Sequence, residues 1–98
     1  WRVPNSRSAW AQYTIQCDDR DTLRTALADQ GIPTATYYPR PIHLQPAYAS
    51  LGAGVGSLPV SEDLAKKVLS LPMHPDMDQA TCRRICKAMA HHLEAYIA

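Results

Sequence analysis

No run of apolar residues in this 98-residue chain approaches the roughly 20 needed to cross a bilayer. No basic segment followed by a hydrophobic block marks a secretory leader either. Charge of one sign is also missing, since 19% of the residues are charged and the net charge is +1. A nucleic-acid-binding module would carry a basic excess and a basic aromatic platform, so that class is disfavoured. Cysteine is scarce: Cys17, Cys82 and Cys86 make an odd set without C-x-x-C spacing, unlike the even framework of a small secreted scaffold. Reduced thiols in a soluble, cytoplasmic domain are predicted. The first residue is Trp1 rather than methionine, which predicts that the chain is cut from something longer.

Lysine is also rare, confined to Lys66, Lys67 and Lys87. An amine that forms a Schiff base must be desolvated or otherwise tuned, whereas these three read as solvated charges on helix surfaces. Gly52, Gly54 and Gly56 form G-x-G-x-G but do not open a helix, so no phosphate loop is present. No metal site is expected. Cys82 and Cys86 with His91 and His92 match zinc spacing poorly, and both cysteines read as buried hydrophobes on an apolar stripe. His91 and His92 suit the C-terminal end of a helix dipole.

What is present is one core's worth of periodic segments, with 46% hydrophobic residues over a length that suits a single domain, 1–98. Residues 10–17 alternate as a strand, with Tyr13, Ile15 and Cys17 on its buried face. Asp18, Asp19 and Asp21 then favour a helix start, Leu23, Ala26 and Leu27 follow at helical spacing, and Gly31 is a stop. Residues 32–38 offer a second strand, ended by Pro39. Prolines and glycines break residues 39–56 into a loop long enough to be notable. Ser57 can cap a helix with Pro59 in its first turn and Val60, Leu64, Ala65 and Val68 on one face. A short strand at 69–72 follows. The final helix starts at Asp78 as N-cap, with Cys82, Ile85, Cys86, Met89 and Leu93 as its stripe. The predicted fold is α/β, a small sandwich of a short, mainly antiparallel sheet covered by helices.

The chemically dense tract is YYPRPIHLQPAY, residues 37–48, where phenol, imidazole and amide groups crowd a proline-stiffened segment. Such groups can orient a polyhydroxylated ligand, and a rigid surface loop with tucked aromatics is the competing outcome.

The stretch GIPTATYYPRPIHLQPAY, followed by SLPVSEDLAKKVLSLPMHPDM, resembles the C-terminal domain of sugar aminotransferases of the DegT/DnrJ/StrS family. The resemblance rests on the glycine-isoleucine-proline step, the tyrosine-proline-x-proline-x-histidine core, the proline-led helix with its early Glu62, and the LSLPMHP turn. It covers residues 10–92. It implies a fold-type I enzyme that uses pyridoxal 5'-phosphate to transfer an amino group from glutamate to a nucleotide-linked keto-sugar, in lipopolysaccharide or other surface-glycan synthesis. It also implies a homodimer, and a large N-terminal domain, absent here, that holds the lysine and the cofactor. This chain would then be the C-terminal small domain, with no catalytic residue and no cofactor of its own, inactive in isolation. Tyr38, Pro39, Pro41, His43 and Gln45 match the family pattern, while Tyr37 stands where many members have histidine. Substrate-binding roles are expected for Tyr37, Tyr38, His43 and Gln45. Tyr37 is suited to positioning rather than proton transfer at neutral pH, and His43 either contacts the ligand or braces the loop. The alternative is a free-standing binding or oligomerisation module without catalysis.

Overall fold

The computed structural model describes the backbone of residues 3–97 and the side chains of residues 3–94. Strand β1 (Tyr13–Gln16) leads into helix α1 (Arg20–Asp29), helix α2 (Pro59–Lys67) runs directly into strand β2 (Val68–Leu71), and helix α3 (Gln79–Ile97) closes the chain. Two 3₁₀ turns, Ile42–Leu44 and Pro46–Tyr48, interrupt the long loop before α2. The strands pair antiparallel, with Ile15 opposite Leu69 and Thr14 opposite Ser70. The α/β architecture with a short antiparallel sheet is as the sequence predicts.

Helix α1 stops where glycine allows it to. Gly31 has φ +69°, its N–H donates to the Ala28 carbonyl at 2.8 Å, and the Ile32 N–H donates to the Leu27 carbonyl at 2.9 Å. This is the 5→2 and 6→1 pair of a Schellman motif, which satisfies two orphan carbonyls. It also turns Ile32 into the core, where Leu23, Leu27, Ile32, Leu69, Ile85 and Ala88 form one buried cluster. Leu27 and Leu69 have no solvent exposure at all. Complete burial of a leucine contributes roughly 1.5–3 kcal/mol, so these few side chains carry much of the stability of so small a unit.

Several sequence expectations need correction. Residues 32–38 do not form a strand; only Ala35 bridges Ser70, through two backbone hydrogen bonds of 2.7 and 3.0 Å. Ile32 has spent its N–H on the α1 cap and Pro33 has none to give, so a ladder cannot begin there. Ser57 does not cap α2: its hydroxyl donates to the Gly54 carbonyl at 2.7 Å, and the Leu58 N–H donates instead to the Glu62 carboxylate at 3.3 Å. Val60 and Tyr13 are exposed rather than packed. On α3 the buried side is rotated from the expected stripe. Ile85 and Ala88 are buried with Thr81, Met89 and His92 beside them, while Cys82 and Cys86 are exposed. Core packing therefore does not account for the two cysteines. Asp78 does act as N-cap, its carboxylate accepting from the Thr81 N–H at 2.7 Å, which lowers its pKa.

The radius of gyration is 16.3 Å, against about 12.6 Å for a compact domain of this length. The segments that extend beyond the core leave Leu51, Val55, Val60 and Ile42 more than 60% exposed. No helix among the described residues is long and apolar enough to cross a membrane.

Candidate functional site

Residues 37–43 of the predicted tract form one wall of an open pocket of about 460 Å³, and residues between Leu58 and Val68, along α2 and its flanks, form the other. Its floor is apolar, built from Leu58, Leu64, Ala65 and Val68. Its rim carries Tyr37, Tyr38, Arg40, His43 and Ser61. The tyrosine rings meet edge to face at 5.9 Å, and the peptide bond between them is cis. Tyr37 is 48% and Tyr38 66% exposed, so both phenols are open to a ligand.

One carboxylate holds this loop in place. Glu62 accepts from the Gly56 N–H at 2.8 and 2.9 Å and from the Leu58 N–H, and its Oε1 lies 3.0 Å from His43 Nε2. The His43 and Glu62 side chains are only 10% and 13% exposed. The Gly56 N–H, then His43, hold the Glu62 carboxyl below its ordinary pKa. An ionised carboxylate only accepts, so the shared proton belongs on His43 Nε2. His43 thus braces the loop through one nitrogen while its ring lines the pocket. Gln45 is not on the pocket wall; it is half-buried, and its amide donates to the Arg40 carbonyl at 3.5 Å. Tyr37, Tyr38 and His43 are therefore brought together, and Gln45 stands behind them as a prop.

Two arginines went unrecognised in the sequence. Arg40 is the one charged residue of the tract 37–48, and that isolation was the signal available. Arg20 gives no such signal. It is buried at the start of α1, and its guanidinium donates to Thr36 Oγ1 at 3.3 Å, to the Val68 carbonyl at 3.2 Å and to the Ala65 carbonyl at 3.5 Å. Its Nε lies 2.8 Å from Asp21 Oδ1, an ion pair without a hydrogen bond along the Nε–H. Arg20 thereby ties the strand-like segment before Tyr37 to the α2–β2 junction under the pocket.

The sequence matches the family described as DegT/DnrJ/EryC1/StrS aminotransferase over residues 2–90. The chain belongs to this family. Among relatives of the DegT/DnrJ/EryC1/StrS type, it is 40% identical to the dTDP-3-amino-3,4,6-trideoxy-alpha-D-glucose transaminase of Streptomyces venezuelae, over 94% of this chain and 24% of that protein. It is 42% identical to the UDP-2-acetamido-2-deoxy-3-oxo-D-glucuronate aminotransferase of Pseudomonas aeruginosa, over 89% of this chain and 23% of that protein. Among solved structures, S. venezuelae DesV in complex with a ketimine intermediate superposes with a TM-score of 0.82 at 41% identity, covering 88% of this chain and 23% of that one. A DegT/DnrJ/EryC1/StrS aminotransferase from Brucella abortus gives the same TM-score at 43% identity, covering 93% and 25%. The chain spans about a quarter of the length of these relatives.

Pyridoxal phosphate is the usual cofactor of such aminotransferases, and the described side chains of this chain do not fit it. Lys67 is bound by Asp63 at 3.0 Å and Asp18 at 3.2 Å, and these partners raise its pKa, which is the wrong direction for an amine nucleophile. Lys66 and Lys87 are exposed. Among the described residues no three or more histidine, cysteine or acidic side chains cluster as a metal site.

Proposed function

We propose that this chain is the C-terminal small domain of a cytoplasmic, homodimeric nucleotide-sugar aminotransferase, and that it forms the substrate-side wall of an active site completed by a larger N-terminal domain. The observation that carries this is the pocket lined by residues 37–43, with two open phenols and a braced imidazole over an apolar floor, in a chain without a usable lysine. The four relatives and neighbours described above lend the reaction class. In this role Tyr37 and Tyr38 hydrogen-bond the sugar and shield its apolar face, His43 offers Nδ1 to a hydroxyl, and Gln45 keeps the loop backbone in place. Holding a ligand in one orientation and excluding water accelerates a reaction without any nucleophile on this side of the cleft. The cofactor, pyridoxal 5'-phosphate, would be held by the larger domain and supply the electron sink. Glutamate as donor and a product destined for lipopolysaccharide or another surface glycan complete the reading. The exposed Leu51, Val55 and Val60 suit a chain that packs against a larger body.

The deciding experiment titrates pyridoxal phosphate into this chain and into the longer protein its gene encodes, then adds glutamate. The expected outcome is a cofactor absorbance that glutamate shifts in the longer protein only. Transamination of a keto-sugar by the 98-residue chain alone, or no cofactor spectrum in either sample, would defeat the proposal.

A further inference from the structure

We infer that Arg40 is the anion-binding group of the pocket and takes the diphosphate of the nucleotide-linked sugar. The ligand's identity rests on the function proposed above; the anion chemistry rests on this chain alone. Arg40 is the only permanently charged side chain on the pocket wall, and it is exposed. No carboxylate of the described residues lines the pocket, and Glu62, which holds the loop, is already occupied by His43, Gly56 and Leu58. Among the described residues the ion pairs engage Arg20, Arg24, His43 and Lys67, and none engages Arg40. The pocket therefore presents one uncompensated cation.

The other polar side chains lining the pocket are the hydroxyls of Tyr37, Tyr38 and Ser61, each able to donate, and the imidazole of His43. A cation, several donors and no free carboxylate form a set that selects a ligand rich in anionic oxygens. The guanidinium fork matches phosphoryl oxygens two at a time, and a diphosphate offers more acceptors than a single carboxylate could use here. The backbone of Arg40 is also held before any ligand arrives. Pro39 and Pro41 flank it with fixed φ, and Gln45 donates to its carbonyl. Less ordering is then required on binding. Leu58, Leu64 and Val68 supply the apolar floor that a sugar ring covers.

The test uses the full-length enzyme as wild type, Arg40→Gln and Arg40→Lys, each checked for an unchanged thermal melt, which is expected because this side chain holds nothing in the fold. The readouts are KM for the nucleotide keto-sugar and for glutamate, and the calorimetric Kd of UDP and dTDP as probes. Loss of a charge-assisted contact should raise the sugar KM and the probe Kd about 10- to 100-fold in Arg40→Gln, beyond any change in the glutamate KM. Arg40→Lys should recover part of the loss, and added salt should weaken probe binding to wild type more than to Arg40→Gln. A change of less than about twofold in both, or absence of probe binding to wild type, overturns the inference and leaves a solvated arginine. A rise confined to the glutamate KM also overturns it, in favour of the donor carboxylate. If wild type does not transaminate but binds the probes in an Arg40-dependent way, the aminotransferase reading fails and the anion site stands.

Discussion

Gly52→Ala should displace the histidine of the pocket without touching it through a side-chain bond. A methyl carbon built on Gly52 would stand 2.8 Å from the His43 carbonyl oxygen and 3.5 Å from the His43 Cβ. A carbon and a carbonyl oxygen come into ordinary contact at about 3.3–3.6 Å, so the backbone must open by about 0.5 Å or more. The obstacle is main chain rather than a flexible tip, so relief requires the backbone at Gly52 or at His43, in the turn Ile42–Leu44, to shift. Overpacking of this kind costs roughly 1–3 kcal/mol. With a urea m-value of about 1–3 kcal/mol/M, the midpoint should fall by about 1 M. Gly54→Ala is the matched control: nothing lies within 4 Å of its added carbon, and its φ of +80° makes the cost conformational alone, about 1–2 kcal/mol. Both variants should lose stability, but only Gly52→Ala should shift the His43 Nε2–H resonance and loosen its bond to Glu62. A Gly52→Ala protein with wild-type stability and an unmoved resonance, or a Gly54→Ala protein that moves it equally, would refute the steric coupling.

Glu62→Gln should weaken the loop at neutral pH and make it less sensitive to acid. The wild-type carboxyl has a pKa below its ordinary 4.5, so its contribution is full above that value and is lost as pH falls through the lower, folded value. The stability gap between wild type and variant, followed by chemical denaturation, should therefore close below about pH 4.5; a gap constant with pH would contradict the latch. Leu69→Ala removes a fully buried side chain from the centre of the core and should cost about 2–5 kcal/mol, measured as a loss of midpoint with little change in m-value. Arg20→Met keeps the length and removes the donors to Ala65, Val68 and Thr36; a loss of about 2–3 kcal/mol is expected, with faster amide exchange at residues 36–38. Exchange there unchanged from wild type would show that Arg20 does not anchor the loop.

The helices and the strands β1 and β2 were legible because their signals are local. Gly31 after Leu27, Pro59 ahead of Leu64, and Asp78 ahead of Thr81 each act within a turn of the residue that carries them. The failures share a different origin. Residues 32–38 have the composition of a strand, but the Ile32 N–H is consumed by the preceding helix, a demand that lies outside the window in which alternation is read. On α3, the sets Thr81, Ile85, Ala88, His92 and Cys82, Ile85, Cys86, Met89 are both helical stripes. Which one faces inward is set by where Leu23 and Leu27 stand, and this is a tertiary fact.

The same distinction separates what could be read of the candidate site from what could not. Aromatic and proline chemistry marked residues 37–48 as a place where groups are concentrated, and Tyr37, Tyr38 and His43 do share one pocket. The groups that hold them there come from elsewhere in the sequence: Glu62 lies 19 residues from His43, and Arg20 lies 16 residues from Thr36. Neither has a spacing that distinguishes it from a solvated surface charge. A loop without a ladder can hold a precise shape only by satisfying its backbone donors at fixed acceptors, as Gly56 and Leu58 do at one carboxylate. That carboxylate also binds the imidazole, so one side chain fixes both His43 and the turn at Gly56. The position of His43 and the order of the loop are then coupled through Glu62, and the two should change together in every variant of that residue.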